Sequence, residues 1–339
     1  MGASKEFRGE IWTGIHPRVL EAMVRANAEE VDGCVGNDKY SLAAVKWMKA
    51  RLHTPAFVTF TLNGTAANVL AAKTMLHPWG SILCASETHI NVYECGATEF
   101  QVGAKLLAVE SPDGKLTPEG VDRFLALHKK YKYRPEVAVI TQPTELGAVY
   151  TLAELRRLTD HLHALGMSVY MDGARLPLAL AALGVSLSEM TEGVGVDAFS
   201  FGGTKAGCLF GEMLVFLREE WGRNLDYSQK QSLQHLDKSR YLGAGFCALF
   251  ENDLYLENAR IAHENALLLA EKLTKTGHPP YYPVEANAVF AVLTPAELAR
   301  VNEVYDFHYW NEETHTVRFV TTYGTKEEEI DRLVSLLAE

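Results

Sequence analysis

Residues 168–175 read Ser-Val-Tyr-Met-Asp-Gly-Ala-Arg, and residues 197–207 read Asp-Ala-Phe-Ser-Phe-Gly-Gly-Thr-Lys-Ala-Gly. Each begins as a short, mainly apolar run with the length of a buried strand, Ser168 to Met171 and Asp197 to Phe201. Each then turns into small residues that carry one ionisable side chain forward: Asp172 in the first, Lys205 in the second. Ligands of open α/β sheets bind outside the carboxyl ends of the strands. The two groups are therefore expected near each other at one end of a sheet.

On either side the pattern repeats. Runs at 57–62, 81–85, 105–110, 137–141 and 212–217 also read as strands, with helical periodicity between most of them. Thr151-x-x-Glu154 is a capping-box signature, and Thr117 precedes Pro118 at a first helical position. This alternation predicts an α/β large domain with a mostly parallel seven-stranded sheet. A single long helix is expected from about 248 to 276, closed by Gly277 and Pro279. A strand at 289–293, a helix capped by Thr294-Pro295-x-Glu297, a strand at 317–321 and a last helix started by Thr325 then make a smaller C-terminal α/β domain. The expected division is 1–247, with an N-terminal arm over 1–16, and 248–339.

Composition narrows the function classes. The chain has 339 residues, 47% hydrophobic and 22% charged, which excludes wholesale disorder and fits about two domains at ~150 residues each. Its net charge of -11 gives no basic surface to neutralise phosphates, so a nucleic-acid partner is not expected. The five cysteines are scattered and form no C-x-x-C pair, which points to reduced thiols in a cytoplasmic protein and to no metal site. No membrane span or secretory leader is expected. Met1-Gly2 opens like a myristoylation signal, but Glu6 stands where Ser or Thr is needed. The sequon Asn63-Gly64-Thr65 reads as chance in this setting.

The chemistry lies after the strands. Asn63-Gly64-Thr65-Ala66-Ala67-Asn68 opens an apolar helix, and a small-residue turn at a helix N-terminus seats phosphate well. By itself it is also an ordinary strand-to-helix turn, without a P-loop Lys or G-x-G-x-x-G spacing. Lys205 stands alone among five small residues, which allow a flat ligand to approach the backbone. A desolvated lysine gives up its proton more readily and becomes a nucleophilic amine. Asp172 on one strand end and Lys205 on the next suit pyridoxal 5'-phosphate, which needs a Schiff-base lysine and an acid beside its pyridine nitrogen.

At these residues the chain resembles the low-specificity L-threonine aldolases, in the beta-eliminating lyase group of fold-type I pyridoxal phosphate enzymes. The resemblance runs from about Phe7 to Thr325. It is carried by the 63–68 turn, Ser86-Glu87-Thr88-His89, Glu94-Cys95-Gly96-Ala97, Met171 to Arg175, Phe201 to Lys205, Val284-Glu285-Ala286-Asn287 and Arg318-Phe319-Val320-Thr321. It implies Lys205 as the Schiff-base lysine, Asp172 at the pyridine nitrogen, His89 stacked on the ring, and Gly64 and Thr65 at the phosphate. It implies Arg175 and Arg318 at the substrate carboxylate, with Arg175 also among the residues that bind the cofactor. Arg240 is similar to a position that reaches the phosphate of a neighbouring subunit, so a homo-oligomer is implied, a dimer at least and a tetramer as a dimer of dimers.

The chain also departs from that pattern. Gly9-Glu10-Ile11 stands where the family shows Ser-Asp followed by Asn or Thr, so Gly9 replaces a serine that helps bind the carboxylate. Val35-Gly36-Asn37-Asp38 stands for a Tyr-Gly-Asp-Asp type loop. Glu145 lies where some members place a second histidine beside the substrate hydroxyl. The resemblance implies retro-aldol cleavage of a β-hydroxy amino acid, with His89, Glu145 or an ordered water as the base. The alternatives are β-elimination, racemisation or transamination on the same residues, or a non-catalytic protein that kept the fold. A nicotinamide dehydrogenase lacks its glycine fingerprint here.

Overall fold

The computed structural model describes residues 3–30 and 32–338, so Met1 and Gly2 lie outside the described residues. Its large sheet contains β1 (Phe57–Thr61), β2 (Ser81–Ala85), β3 (Lys105–Val109), β4 (Pro135–Thr141), β5 (Ser168–Asp172), β6 (Ala198–Gly202) and β7 (Glu212–Phe216). They lie in the order β1-β7-β6-β5-β4-β2-β3. Only β7 runs against its neighbours, β1 and β6; the other pairings are parallel. Every strand expected in this region is present. Strands β2, β6 and β7 are buried at every position, which is why they read as continuous apolar runs instead of alternating ones.

The helix starts follow the sequence signals. Thr151 and Glu154 make a reciprocal capping box, and Thr117 accepts from the Gly120 N–H with Pro118 in the first turn. The long helix expected from 248 to 276 is instead two. A helix Arg240–Phe250 ends, Asn252 and Asp253 turn left-handed at φ 54° and 53°, and a second helix runs Leu254–Lys275. Asn and Asp tolerate that conformation better than most residues. The apolar face continues through the kink: Trp47 stacks on Phe250 at 3.7 Å and meets Tyr255 edge-on at 5.7 Å. A period count sees that continuous face and misses the break. The last helix spans Glu327–Ser335, and Thr325 serves instead as acceptor for the Thr322 N–H.

A second, antiparallel sheet holds β8 (Ala288–Val292), β9 (His308–Asn311) and β10 (Thr316–Val320) in the order β8-β10-β9. Strand β9 was not expected; it is a four-residue edge strand with half-buried and exposed positions alternating. This sheet has its own hydrophobic cluster, with Leu269, Leu273, Val289, Phe319 and Ile330. Phe7 enters that cluster from the N-terminal segment, edge-on to Tyr305 at 5.2 Å and to Phe319 at 6.1 Å. Its carbonyl accepts from the Val320 N–H at 2.9 Å. The N-terminal segment is thereby pinned beside β10, and Gly9 and Glu10 are carried to the carboxyl end of the large sheet. Among the described residues, no helix is long and apolar enough to cross a membrane.

Candidate active site

Strands β5 and β6 deliver the two groups that the sequence singled out. Asp172 is the last residue of β5, and Lys205 sits in the 3-10 turn Thr204–Ala206 just after β6. The glycines between them permit very close backbone packing. A Cβ on Gly173 would lie 2.0 Å from the Ser200 carbonyl oxygen, and one on Gly202 would lie 2.0 Å from that of Ala174.

A cleft of about 340 Å³ opens beside this end of the sheet, lined by Gly9, Glu10, His89, Glu145, Arg175, Lys205 and Arg318. It unites the N-terminal turn, the large sheet and β10. Burial and the nearby Arg175 lower the Lys205 pKa, against opposing pulls from Glu10, Glu145 and Asp172. The amine is thus biased toward its neutral, nucleophilic form.

Asp172 is fixed by two bonds: Oδ1 accepts from the Ala174 N–H at 3.0 Å and Oδ2 from Asn68 Nδ2 at 3.1 Å. Asn68 also donates to Glu94 Oε1 at 2.7 Å and accepts from the Tyr170 hydroxyl at 2.9 Å. The same Glu94 oxygen lies 2.8 Å from His89 Nδ1. A hydrogen-bonded chain therefore joins His89, Glu94, Asn68 and Asp172. The roles of Asn68 and Glu94 were not anticipated. The signal was available: Asn68 is a lone amide in the apolar run Ala66 to Ala72, and a buried amide needs partners.

The cationic end of the cleft is organised by carboxylates. Glu10 accepts from Arg175 Nε at 2.6 Å and Nη2 at 3.3 Å, and from Asn287 Nδ2 at 3.0 Å. Burial alone would raise the Glu10 carboxyl, but Arg175, Lys205 and these bonds outweigh it and hold it far below the usual carboxylate range. Glu145 lies 3.5 Å from Arg175 Nη1 and 3.7 Å from Arg318 Nη1. Burial opposes its charge too, yet Arg175, Lys205 and Arg318 lower its pKa. Arg318 is half-buried, and its enclosed Nε has no partner among the described residues.

The remaining expected residues stand apart. Gly64 and Thr65 open the helix Gly64–Met75, whose cap is Asn63, accepting from the Ala66 N–H at 2.9 Å. Arg240 opens the helix Arg240–Phe250 on the surface, donating to the Glu29 carbonyl at 3.5 Å and the Tyr241 hydroxyl at 3.0 Å. Within one chain it does not join the cleft. The Val35 loop is tied to the residues before Arg240, since Ser239 accepts from the Gly36 N–H and donates to Asp38, both at 2.7 Å.

Comparison with known proteins places the chain in a family. The family profile for beta-eliminating lyases matches residues 6–296. A low specificity L-threonine aldolase from a Pseudomonas species is 34% identical over 336 residues, covering 98% of this chain and 96% of its own. One from Pseudomonas aeruginosa is 36% identical over 295 residues, covering 86% and 85%. The solved structure of Leishmania major threonine aldolase superposes with a TM-score of 0.92 at 28% identity, covering 98% of both chains. With the strand-end lysine and aspartate in place, the chain belongs to the beta-eliminating lyase and threonine aldolase family.

Proposed function

We propose that the chain is a pyridoxal-phosphate-dependent aldehyde-lyase that cleaves β-hydroxy-L-α-amino acids, such as threonine and allo-threonine, to glycine and an aldehyde. One observation carries the reading: a half-buried lysine of lowered pKa and a half-buried arginine share one cleft with His89 and Glu145.

The residues present fit the cofactor. A Cβ built on Gly64 would meet nothing within 4 Å, so space lies open at a helix N-terminus suited to a phosphate. When bound, pyridoxal phosphate supplies an electron sink for negative charge at the substrate Cα. Lys205 would hold it, Asp172 would keep its ring nitrogen protonated, and His89 would lie against its ring. The Gly64 and Thr65 N–H groups, which have no acceptor within their helix, would hold its phosphate.

Around the substrate, Arg318 lines the cleft and would offer its guanidinium to the carboxylate. His89 has Nδ1 committed to Glu94, which leaves Nε2 to take the β-hydroxyl proton. Glu145 is the weaker base, because a carboxylate held below its usual pKa by Arg175, Lys205 and Arg318 accepts protons poorly. We assign Glu145 instead to fixing the two arginines.

Arg240 and the Val35 loop complete the reading in an oligomer, a dimer or a dimer of dimers, where Arg240 reaches the neighbouring cofactor. A second cavity of about 530 Å³, lined by Val35, Gly36, His235 and Ser239 near exposed Leu233 and Tyr227, supports contact with another copy there. Free cysteines support a cytoplasmic location. Separate hydrophobic clusters support two domains, but the core does not divide at 247/248: Ala248 to Ala262 pack with the large sheet, and the change of cluster falls between Ala262 and Ala266 within the helix Leu254–Lys275.

A second reading, β-elimination, racemisation or transamination, is favoured by the rim alone, where Gly9 has no side chain to offer the substrate. Product analysis separates the two. The cofactor-loaded protein is incubated with threonine, allo-threonine and phenylserine. Equal amounts of glycine and aldehyde are expected. A keto acid with ammonia, an inverted amino acid, or no aldehyde from any of the three refutes the aldolase reading.

A further inference from the structure

The amino ends of the large-sheet strands, opposite the cleft, have a character of their own. Strands β4, β2 and β3 are consecutive and parallel, and Ser81 pairs with Pro135 on one side and Lys105 on the other. Their first residues therefore stand side by side, at about 5 Å per strand. The Ser81 N–H donates to the Arg134 carbonyl at 2.9 Å, so two of the entering loops are tied together. Three helices, Gly64–Met75, Ala97–Val102 and Pro118–Leu127, feed these strands and end on this side. Each approach leaves a bulky apolar side chain in water: Trp79 is 63% exposed, Phe100 86% and Leu127 70%.

The same end is cationic, although the net charge of -11 gives no hint of it. Lys105, Lys129, Lys130, Lys132 and Arg134 are all exposed, and residues 123–135 contain no Asp or Glu. Of these five, only Arg134 has an ion-pair partner among the described residues, Glu136 at 3.0 Å. Four lysines thus keep an uncompensated charge beside exposed apolar tips. A single-stranded nucleic acid would need free ring faces on which to stack its bases. Here the Tyr131 ring is engaged by Tyr133 at 5.3 Å and by the Lys130 ammonium at 5.1 Å, Trp79 is stacked on His77 at 5.3 Å, and Leu127 has no ring. Apolar tips among unpaired lysines suit the boundary of an anionic bilayer instead, where the tips enter the acyl edge and the ammonium groups meet lipid phosphates.

We propose that the amino end of β2, β3 and β4 docks on an anionic phospholipid surface, with Trp79, Phe100 and Leu127 at the boundary of headgroups and acyl chains and Lys129, Lys130 and Lys132 against the lipid phosphates. The attachment is peripheral and independent of the reaction proposed above. It leaves the cleft open to water, because the cleft lies at the carboxyl ends of the strands. It also leaves free the cavity proposed as a contact between copies, which is lined by Val58, Thr59 and Phe60 of β1 at the far edge of the same sheet.

The test is sedimentation of the cofactor-loaded protein with vesicles of pure phosphatidylcholine and of phosphatidylcholine mixed equally with phosphatidylglycerol. Binding to the mixed vesicles alone is expected, with release at high salt. Replacing three lysines together, Lys129→Gln, Lys130→Gln and Lys132→Gln, should lower partitioning about 100-fold, at about fivefold per lysine. Trp79→Ser should lower it at least threefold and leave the salt dependence unchanged, and Phe100→Ser gives the same reading independently. Turnover of phenylserine within twofold of the native protein shows that each variant is folded. Equal binding to both vesicles, binding to neither, or an unchanged triple variant overturns the proposal. So does a lower assembly mass of Trp79→Ser in light scattering, which would make this edge a contact between copies. Capture by oligouridylate in preference to the mixed vesicles would assign the lysines to nucleic acid and overturn it as well.

Discussion

The Nδ1 atom of His89 lies 2.8 Å from an oxygen of Glu94, whose side chain is wholly buried. A histidine held this way has its tautomer and ring plane set by the carboxylate. That oxygen is shared with Asn68, while the other Glu94 oxygen has no partner among the described residues. In the proposed reading, Glu94 is a positioning residue that acts through His89. Glu94→Gln should lower kcat about 10- to 100-fold, the equivalent of losing one hydrogen bond to a charged group, with KM changed less than threefold. Glu94→Asp should recover part of the loss. Steady-state kinetics check it; an equal fall in kcat with either variant, or a change confined to KM, would contradict a positioning role.

Arg318 should govern substrate affinity more than the chemical step. Arg318→Ala is expected to raise KM by roughly 10- to 100-fold, as removal of a charge-assisted contact does, with a smaller effect on kcat. Kinetics with phenylserine measure it, and near-normal KM would remove Arg318 from the site.

Glu212 gives a pH signature in stability. It is buried on β7 behind the Lys205 turn and accepts from the Gly203 N–H at 2.8 Å. Burial pushes its carboxyl up to about 8. An acid whose folded pKa is raised binds its proton more tightly in the native state. Its contribution is fully present below the unfolded value of 4.5 and is lost as pH rises through about 8. Glu212→Gln keeps the acceptor and removes the ionisation. Its Tm should match the native protein near pH 5 and exceed it near pH 9, at about 2–4 °C per kcal/mol of relieved penalty. Scanning calorimetry at the two pH values decides; a gap that is the same at both sinks the assignment.

Phe7 anchors the segment that delivers Glu10. It is fully buried against Tyr305 and Phe319. Phe7→Ala should cost about 3–5 kcal/mol, the usual range for a buried phenylalanine. Because the anchor also holds Gly9 and Glu10 at the cleft, kcat/KM should fall in the fraction that remains folded. Denaturant unfolding and kinetics on the same sample check both parts.

What could be read in the sequence followed from short-range rules. The seven large-sheet strands were legible because buried parallel strands are short apolar runs ended by small residues, as at Asp172 and Lys205. The cleft residues on strand ends were legible because α/β sheets present ligands there. The kink at Asn252 and Asp253 was hidden by an apolar face continuous from Trp47 and Phe250 to Tyr255. Strand β9 was too short and too exposed to signal itself. The partnership of Glu10 with Arg175 spans 165 positions, and that of Glu94 with Asn68 spans 26. Neither follows any periodicity, because the fold brings each pair together.

The central claim is that Lys205 is the amine on which the chemistry rests. The direct measurement is borohydride reduction of the cofactor-loaded protein, followed by proteolysis and mass spectrometry of the lysine peptides. The account predicts a pyridoxyl group on the peptide containing Lys205, and its loss when the protein is first saturated with glycine. A pyridoxyl group on another lysine, with Lys205 unmodified, would contradict it.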